Sequence, residues 1–266
     1  MNPLTSILRR VRIACAACFG ALAVSLVAPS LAYADVVQCA NCTSVFDVFI
    51  GGEKAGSSSF SYDPVSGDIE FDTSNALWRG TNGASFRITS LDGNVDPILG
   101  FSFAASTGTS ASSFAVSFDL PIDIAGQIAA KSSVTYALTA LTGVGAQISP
   151  LGVGNKVVRA WDVDVDVGGG PQINKGVDVG DTLAIMTQGG TSQTFTASNM
   201  FMLGAGYELM TVSLDFFLTA NAQFGVSGFV EQLVVPLPAA LPLLLTGLIG
   251  FGVVARRRRG ASVPAA

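Results

Sequence analysis

The chain has 266 residues, of which 14 are basic, 19 are acidic and none is histidine. The lack of histidine excludes Ser-His-Asp and Cys-His catalysis, His-ligated zinc and haem attached through Cys-x-x-Cys-His. All 19 acidic residues lie between Asp35 and Glu231 together with seven basic ones, which gives this central part a net charge of −12. Because such a charge repels nucleic acid, we expect no nucleic-acid partner.

Residues 1–34 have the three parts of a secretory signal peptide. Three arginines within residues 9–12 precede an uncharged apolar run over residues 13–28. Ala32-Tyr33-Ala34 then places small residues at the two positions that a signal peptidase inspects. We expect signal peptidase to cleave before Asp35 and the mature chain to be exported.

Cys39 and Cys42 are the two cysteines that follow the expected cleavage site. In an oxidising compartment this short spacing predicts a structural disulfide, with free thiols as the alternative. A redox role would need a thioredoxin-like strand and helix around the pair, and a metal site would need further ligands. The sequence shows neither.

Residues 35–233 show the period-two alternation of β-strands that bury one face. Turn residues recur about every 8 to 12 residues, as at Asp63-Pro64, Asp92-Gly93 and Gly189-Gly190, and separate ten to twelve candidate strands. Ile122–Lys131 is the one candidate for a short helix. We predict an all-β domain, a single antiparallel β-sandwich of jelly-roll type. The residues expected to face its core include Phe114, Val116, Phe118, Val134, Tyr136, Leu138, Val212, Leu214, Phe216, Leu218, Phe224, Val226 and Val230.

Asp92, Asn94 and Asp96 place side-chain oxygens at alternate positions, as the start of a calcium-binding loop does. An EF-hand is excluded, because Pro97 stands where that loop needs glycine and Phe103 where it needs glutamate. A looser calcium loop and a plain hairpin turn are the two remaining interpretations.

Asp162, Asp164 and Asp166 alternate with valines. In a strand the three carboxylates would share one face and the valines would occupy the other. One interpretation is a solvated strand face, and the other is a calcium site at the rim of the sheet that loop oxygens complete. Apart from calcium we expect no cofactor.

Carboxylates can also catalyse the hydrolysis of glycans. A glycosidase needs two carboxyl groups about 5 to 10 Å apart across a cleft. No pair in residues 35–233 stands out in the sequence. We therefore expect no enzymatic activity.

Residues 234–266 have the layout of a membrane anchor. The apolar run 239–255 is 17 residues long and would span about 25 Å as a helix, close to the thickness of a hydrocarbon core. Four arginines end this run and should stay in the cytoplasm, which places residues 35–233 outside. These arginines are Arg256, Arg257, Arg258 and Arg259, and the motif that precedes the helix is Val235, Pro236, Leu237, Pro238 and Ala239.

This order of short motif, apolar helix and arginine cluster resembles the PEP-CTERM sorting signal of Gram-negative bacteria, in its Val-Pro-Leu-Pro-Ala variant. Leu237 stands where the common form of the motif has glutamate. The resemblance implies an exosortase as partner, transient anchoring in the inner membrane, delivery to the cell surface or extracellular matrix, and association with exopolysaccharide. Residues 94–103 and 114–122 also look like segments of uncharacterised secreted proteins of this class.

These features together predict an exported, non-enzymatic surface or matrix protein that accompanies exopolysaccharide. The alternative is a carbohydrate-binding module that depends on calcium. A glycan-active enzyme is the further alternative.

Overall fold

In this computed structural model, segments of alternating apolar and polar residues form β-strands throughout the described part of the chain. The described residues are 43–63, 66–94, 97–122, 124–151, 154–163, 176–204, 207 and 209–235. The predicted signal peptide, Cys39, Cys42 and the predicted C-terminal motif, helix and arginines lie outside these residues, except for Val235. In the described ranges there is no helix long and apolar enough to cross a membrane.

The described residues form fourteen strands, rather more than the ten to twelve expected, and they are confirmed as all-β. A single short 3-10 turn, Thr73–Asn75, is the one helical element in the same residues. The strands are β1 Thr43–Ile50, β2 Glu53–Tyr62, β3 Ile69–Glu70, β4 Leu77–Arg79, β5 Ser85–Asn94, β6 Ile98–Ser106, β7 Ser112–Pro121, β8 Gly126–Ala140, β9 Ala146–Pro150, β10 Val158–Val163, β11 Leu183–Ile185, β12 Gly189–Leu203, β13 Leu209–Leu218 and β14 Ala222–Val234.

Two antiparallel sheets face each other as in a β-sandwich. Across the described residues, eight strands form one sheet in the order β11-β9-β13-β7-β1-β2-β3, with β10 also paired to β13. Six strands form the other sheet in the order β12-β8-β14-β6-β5-β4. Both β9 and β10 pair with the same edge of β13, so they act as one strand that residues 151–157 interrupt.

Aromatic side chains hold the two sheets together. Phe118 on β7 is fully buried and stacks on Phe103 of β6 in the other sheet, with ring centres 5.8 Å apart. Phe216 on β13 also contacts Phe224 on β14 across the sheets, with ring centres 5.0 Å apart and ring planes tilted by 59°. All thirteen side chains that the alternation assigned to the core are at most 3% exposed, which confirms the predicted orientation of these strands.

The short helix considered for Ile122–Lys131 is wrong, because Gly126 begins the long strand β8. Ile128 and Ala130 are buried while Lys131 is exposed, which is strand periodicity. The short apolar run was compatible with either element, and pairing of β8 with both β12 and β14 decides for the strand.

The turns expected at Asp92-Gly93 and Gly189-Gly190 are misplaced, because all four residues lie in strands: Asp92 and Gly93 in β5, paired with Gly100 and Leu99, and Gly189 and Gly190 in β12. The hairpin turn considered for residues 92–96 is confirmed, since β5 and β6 form an antiparallel pair up to Asn94 and Ile98. Gly93 has a φ of 144°, and a Cβ atom there would lie 1.9 Å from the carbonyl oxygen of Ile98. Glycine is therefore needed for close approach of two strands at this position, and not for a reversal of the chain.

Candidate functional site

A groove of about 250 Å³ lies on the outer face of the eight-stranded sheet. It crosses β1, β7, β13 and β10, whose outward-facing side chains alternate with the buried ones of the core. Its lining consists of Asp47, Phe49, Ala115, Val116, Ser117, Arg159, Trp161, Ser213 and Asp215. The groove thus combines two aromatic rings with hydroxyl and charged groups on a rigid sheet.

Strand register brings these residues together from distant parts of the chain. Ser213 on β13 lies between Ser117 of β7 and Arg159 of β10. One pair further along, Ala115 lies between Asp215 and Phe49. Because a one-residue shift of any strand would turn its groove residues into the core, the groove depends on this register.

Arg159 is the central side chain of one end of the groove. Its guanidinium carbon lies 5.3 Å from the centre of the Trp161 ring, within the range of a cation–π contact. Its Nη2 atom also donates a hydrogen bond of 3.1 Å to Oδ2 of Asp215. Both side chains of this ion pair are largely covered, with 19% and 28% exposure. Burial raises the pKa of Asp215, and the Arg159 guanidinium opposes part of that rise.

Three polar atoms at this end are buried without a hydrogen-bond partner among the described residues. They are Nε of Arg159, Nε1 of Trp161 and Oγ of Ser213. Buried polar groups without a partner cost about 1–3 kcal/mol each. Two of the three are obligate donors and the hydroxyl can donate or accept, so together they suit a ligand that is rich in oxygen atoms.

The other end of the groove is formed by Asp47 and Phe49 on β1. Asp47 accepts a hydrogen bond of 2.7 Å from Oγ of Ser57 and pairs with Nζ of Lys54 at 2.8 Å. These hydrogen bonds, that of Lys54 first, hold the pKa of Asp47 below its usual value. Phe49 leaves 38% of its surface exposed beside this carboxylate, although phenylalanine is normally a core residue.

A second concave surface of about 410 Å³ lies on the outer face of the six-stranded sheet. Its floor is made of small residues, Ala104, Ala137 and Gly225, and Arg87 and Leu77 stand at one side. The one aromatic residue in its lining, Phe224, turns its side chain into the core. This surface therefore lacks the aromatic and unpaired polar groups that distinguish the groove on the eight-stranded sheet.

The two clusters that the sequence offered as separate calcium sites lie in different sheets. Asp92 and Asn94 lie on β5 of the six-stranded sheet, and Asp162 lies on β10 of the eight-stranded sheet. Asp96, Asp164 and Asp166 lie outside the described residues. Within the part of the chain that is described, no three acidic or cysteine side chains are close enough to hold a metal ion. Calcium binding stays a prediction.

Asp162 does not lie on a solvated strand face, as one interpretation had it. It is 0% exposed and shares the inward face of β10 with Val158 and Ala160, whereas Val163 faces outward. Register with β13 sets this orientation, because Asp162 lies opposite the buried Met210.

No protein-family model and no curated protein sequence matches the chain. Similar solved structures include the family 11 carbohydrate-binding module from Clostridium thermocellum in complex with a mixed-linked tetrasaccharide, with 12% identity, coverage of 62% of this chain and 96% of the other, and a TM-score of 0.25. A carbohydrate-binding module from Cellvibrio mixtus lichenase 5A in complex with cellotriose has 13% identity, coverage of 59% and 92%, and a TM-score of 0.21. The tumour necrosis factor Eiger from S. frugiperda has 10% identity, coverage of 41% and 63%, and a TM-score of 0.23. At such scores these likenesses carry no argument about function, which has to come from the groove itself.

The groove was not predicted from the sequence, although the neighbouring aspartates were candidate calcium ligands. Its signal is the pentapeptide from Val158 to Asp162, in which Arg159 and Trp161 occupy the polar positions of an alternating strand. Tryptophan and arginine are enriched at binding surfaces, so an outward-facing tryptophan beside an arginine is the pattern that could have indicated this groove.

Proposed function

We propose that this protein binds carbohydrate in the groove on the outer face of the eight-stranded sheet. One observation carries the proposal: Trp161, Arg159 and Ser213 place an aromatic ring and three polar atoms that have no hydrogen-bond partner among the described residues together at one end of that groove. A sugar ring has flat faces of C–H groups and a rim of hydroxyl groups. Aromatic rings suit the former, and convergent polar groups suit the latter.

The rest of the groove also offers apolar and polar groups that suit a sugar. Phe49 offers a second apolar surface at the opposite end, and the carboxylates of Asp47 and Asp215 offer acceptors for sugar hydroxyls. Because the groove crosses four strands, it suits several linked sugars and not a single one. Arg159 lies over the Trp161 ring, so we propose that its side chain shifts when the sugar binds.

We propose binding without catalysis. Both carboxylates of the groove are engaged by cations, Asp47 by Lys54 and Asp215 by Arg159. They thus serve to position the cations and to accept hydrogen bonds from the ligand, which is the role of polar groups in a binding site.

The predicted export would bring the groove into contact with polysaccharide outside the cell. If residues 1–34 and the C-terminal signal act as expected, residues 35–233 meet polysaccharide outside the cell. We propose that the protein associates with extracellular polysaccharide through this groove. This proposal combines two predictions from the sequence, that the protein binds carbohydrate and that it is located in the extracellular matrix. Calcium has no assigned place in the groove.

A glycan array probed with the purified chain tests the proposal, followed by titration calorimetry on the glycans that bind. Phe49→Ala and Trp161→Ala should each weaken binding at least tenfold. Phe217→Ala is the matched control, because Phe217 is 37% exposed on the same sheet but does not line the groove. The proposal fails if the array shows no binding, or if the control weakens binding as much as Phe49→Ala.

A further inference from the structure

The edge strand β12 differs from the other sheet edges of this protein. In the described residues, the eight-stranded sheet ends in β3 and β11, with two and three residues, and the six-stranded sheet ends in β4, with three. In the eight-stranded sheet β10, with six residues, pairs with β13 on one side and forms an isolated bridge from Val158 to Val179 on the other. The remaining edge is β12, with fifteen residues paired to β8 on one side. At about 3.3 Å per residue it presents roughly 50 Å of strand edge.

Nothing in the sequence of β12 blocks pairing with another strand. Natural proteins protect edge strands with charges, prolines, bulges or short length. Gly189–Leu203 contains no charged residue and no proline, although residues 35–233 carry a net charge of −12. Its pairing with β8 is continuous over all fifteen residues, without a bulge. Leu203 is its one buried residue, so this edge is accessible.

We propose that two copies of this chain form a two-fold symmetric dimer by antiparallel pairing of β12 with β12. The inference is independent of the proposed carbohydrate binding. A second copy is the occupant that the edge itself favours, since two uncharged strands meet without opposing like charges at the contact, in spite of the repulsion between the two bodies. Pairing in this way would join two six-stranded sheets into one continuous sheet.

In one register the side chains of β12 in one copy complement those of β12 in the second copy. Full overlap places the two-fold axis at Thr196, so that residues whose numbers add to 392 lie opposite each other. Gln193 then faces Asn199, and both are exposed amides that can bond to one another. The larger side chains meet small ones, as Phe195 faces Ala197, Met200 faces Ser192 and Met202 faces Gly190.

The backbone groups of the edge suit the same register. The amide of Met200 donates to Oδ1 of its neighbour Asn199 at 2.9 Å, so this N–H is not used in pairing with β8. Even-numbered residues therefore turn their N–H groups away from β8, because the pairing direction alternates along a strand. With Thr196 on the axis, even-numbered residues face even-numbered ones and would exchange about 14 main-chain hydrogen bonds, two of which require the Met200 N–H of each copy to leave Asn199.

The dimer would place two grooves on one assembly. Binding of one long polysaccharide at two sites strengthens attachment through effective concentration, without any new contact. Higher salt should favour the dimer, because it screens the repulsion between two bodies of charge −12.

Disulfide trapping in the full chain tests the register, with analytical ultracentrifugation as the measure of assembly. Thr196→Cys should give a disulfide-linked dimer on mild oxidation, since residue 196 faces its own copy at a distance that a disulfide spans. Ser192→Cys and Met200→Cys should each give little product alone and an efficient link when combined. The wild-type chain measures any linkage through its native cysteines.

Charge on the edge should abolish the dimer. Thr194→Lys with Ser198→Lys should yield a monomer, whereas Ser227→Lys, on the same face of the same sheet but on the inner strand β14, should leave the dimer intact. A chain that is monomeric at all concentrations, or a dimer that Thr196→Cys does not link, overturns the proposal. So does a dimer that survives the two edge lysines, or assembly into open polymers, because a two-fold pair is closed.

Discussion

The Arg159 guanidinium reaches diagonally from β10 to Asp215 on β13, with Nη2 and Oδ2 3.1 Å apart, since Ser213 and not Asp215 lies directly opposite Arg159. Ser213 thus lies beside Arg159 on the neighbouring strand, and the guanidinium lies near the Trp161 ring. The ion pair thereby links the polar and aromatic parts of the groove.

Titration of Asp215 should be visible in the stability of the fold. Burial raises its pKa in the folded state above the unfolded value, so the folded state binds this proton more tightly. The free energy of unfolding therefore gains a contribution as pH falls through the folded pKa, and loses it as pH rises. Asp215→Asn lacks this contribution. Urea unfolding at pH 7 and pH 4 should show wild type gaining stability relative to the variant at the lower pH, and a difference that does not change with pH would contradict this.

The core between the sheets should respond strongly to loss of one ring. Phe118 is fully buried and contacts Phe46 at 4.9 Å and Phe103 at 5.8 Å between ring centres. Phe118→Ala should lower the free energy of unfolding by about 3–5 kcal/mol, through lost burial and the cavity that remains. Phe217→Ala, at an exposed position, should cost less than about 1 kcal/mol. Urea unfolding measures both, and equal losses would show that Phe118 does not hold the sheets together.

Gly180 and Tyr136 should be energetically coupled. A Cβ atom at Gly180 would lie 1.8 Å from the Tyr136 hydroxyl, and Gly180 has a φ of 94°, which other residues rarely adopt. Gly180→Ala should therefore destabilise the fold. The Tyr136 hydroxyl is buried without a partner among the described residues, so Tyr136→Phe should be nearly neutral by itself.

The double variant should recover part of the loss, because Tyr136→Phe removes the nearer of the two atoms that a Cβ would strike, while the ring carbon Cζ at 2.8 Å remains. We expect a coupling energy of about 0.5–3 kcal/mol in a double-mutant cycle, with the strain from φ remaining. Additive effects of the two substitutions would contradict the close contact.

The sequence predicted the orientation of a strand correctly where apolar and polar residues alternate clearly along it. Phe114, Val116 and Phe118 alternate with small polar residues, and the core orientation of β7 follows directly. The segment around Asp162 allows two orientations of the strand. With Val158 and Ala160 facing the core, Asp162 faces the core as well; with the later valines facing the core, Asp162 faces outward. Pairing with β13 selects the first orientation and buries Asp162, which is information that only the tertiary structure contains.

The groove could not be assembled from the sequence for a similar reason. Phe49 and Asp215 are far apart along the chain and meet only because both strands pair with β7. Local patterns give the outward phase of each strand, but not which strands are neighbours. Trp161 could have been noticed locally, whereas its surroundings could not.

Calcium binding can be tested with variants that the structure now helps to choose. The buried Asp162 is unsuitable, since Asp162→Asn would change the core whether or not calcium binds. Asp164→Asn with Asp166→Asn is the better variant. At calcium ten times above its dissociation constant, one site would stabilise the fold by about 1.4 kcal/mol and raise the melting temperature by a few degrees. Chelator should reverse this rise and the variant should lack it; a melting curve of the wild-type chain that calcium does not move would exclude the site.

Tryptophan fluorescence tests the proposed binding groove most directly, because the chain has two tryptophans with separate positions. Trp78 is 8% exposed in the core beside Phe46, so Trp78→Phe leaves Trp161 as the single reporter in the groove. Titration of that variant with a glycan that binds on the array should change the Trp161 emission in a saturable way and protect it from acrylamide quenching. A glycan that binds the chain with full affinity, yet leaves the emission and quenching of Trp161 unchanged, would place the carbohydrate site elsewhere and contradict the account.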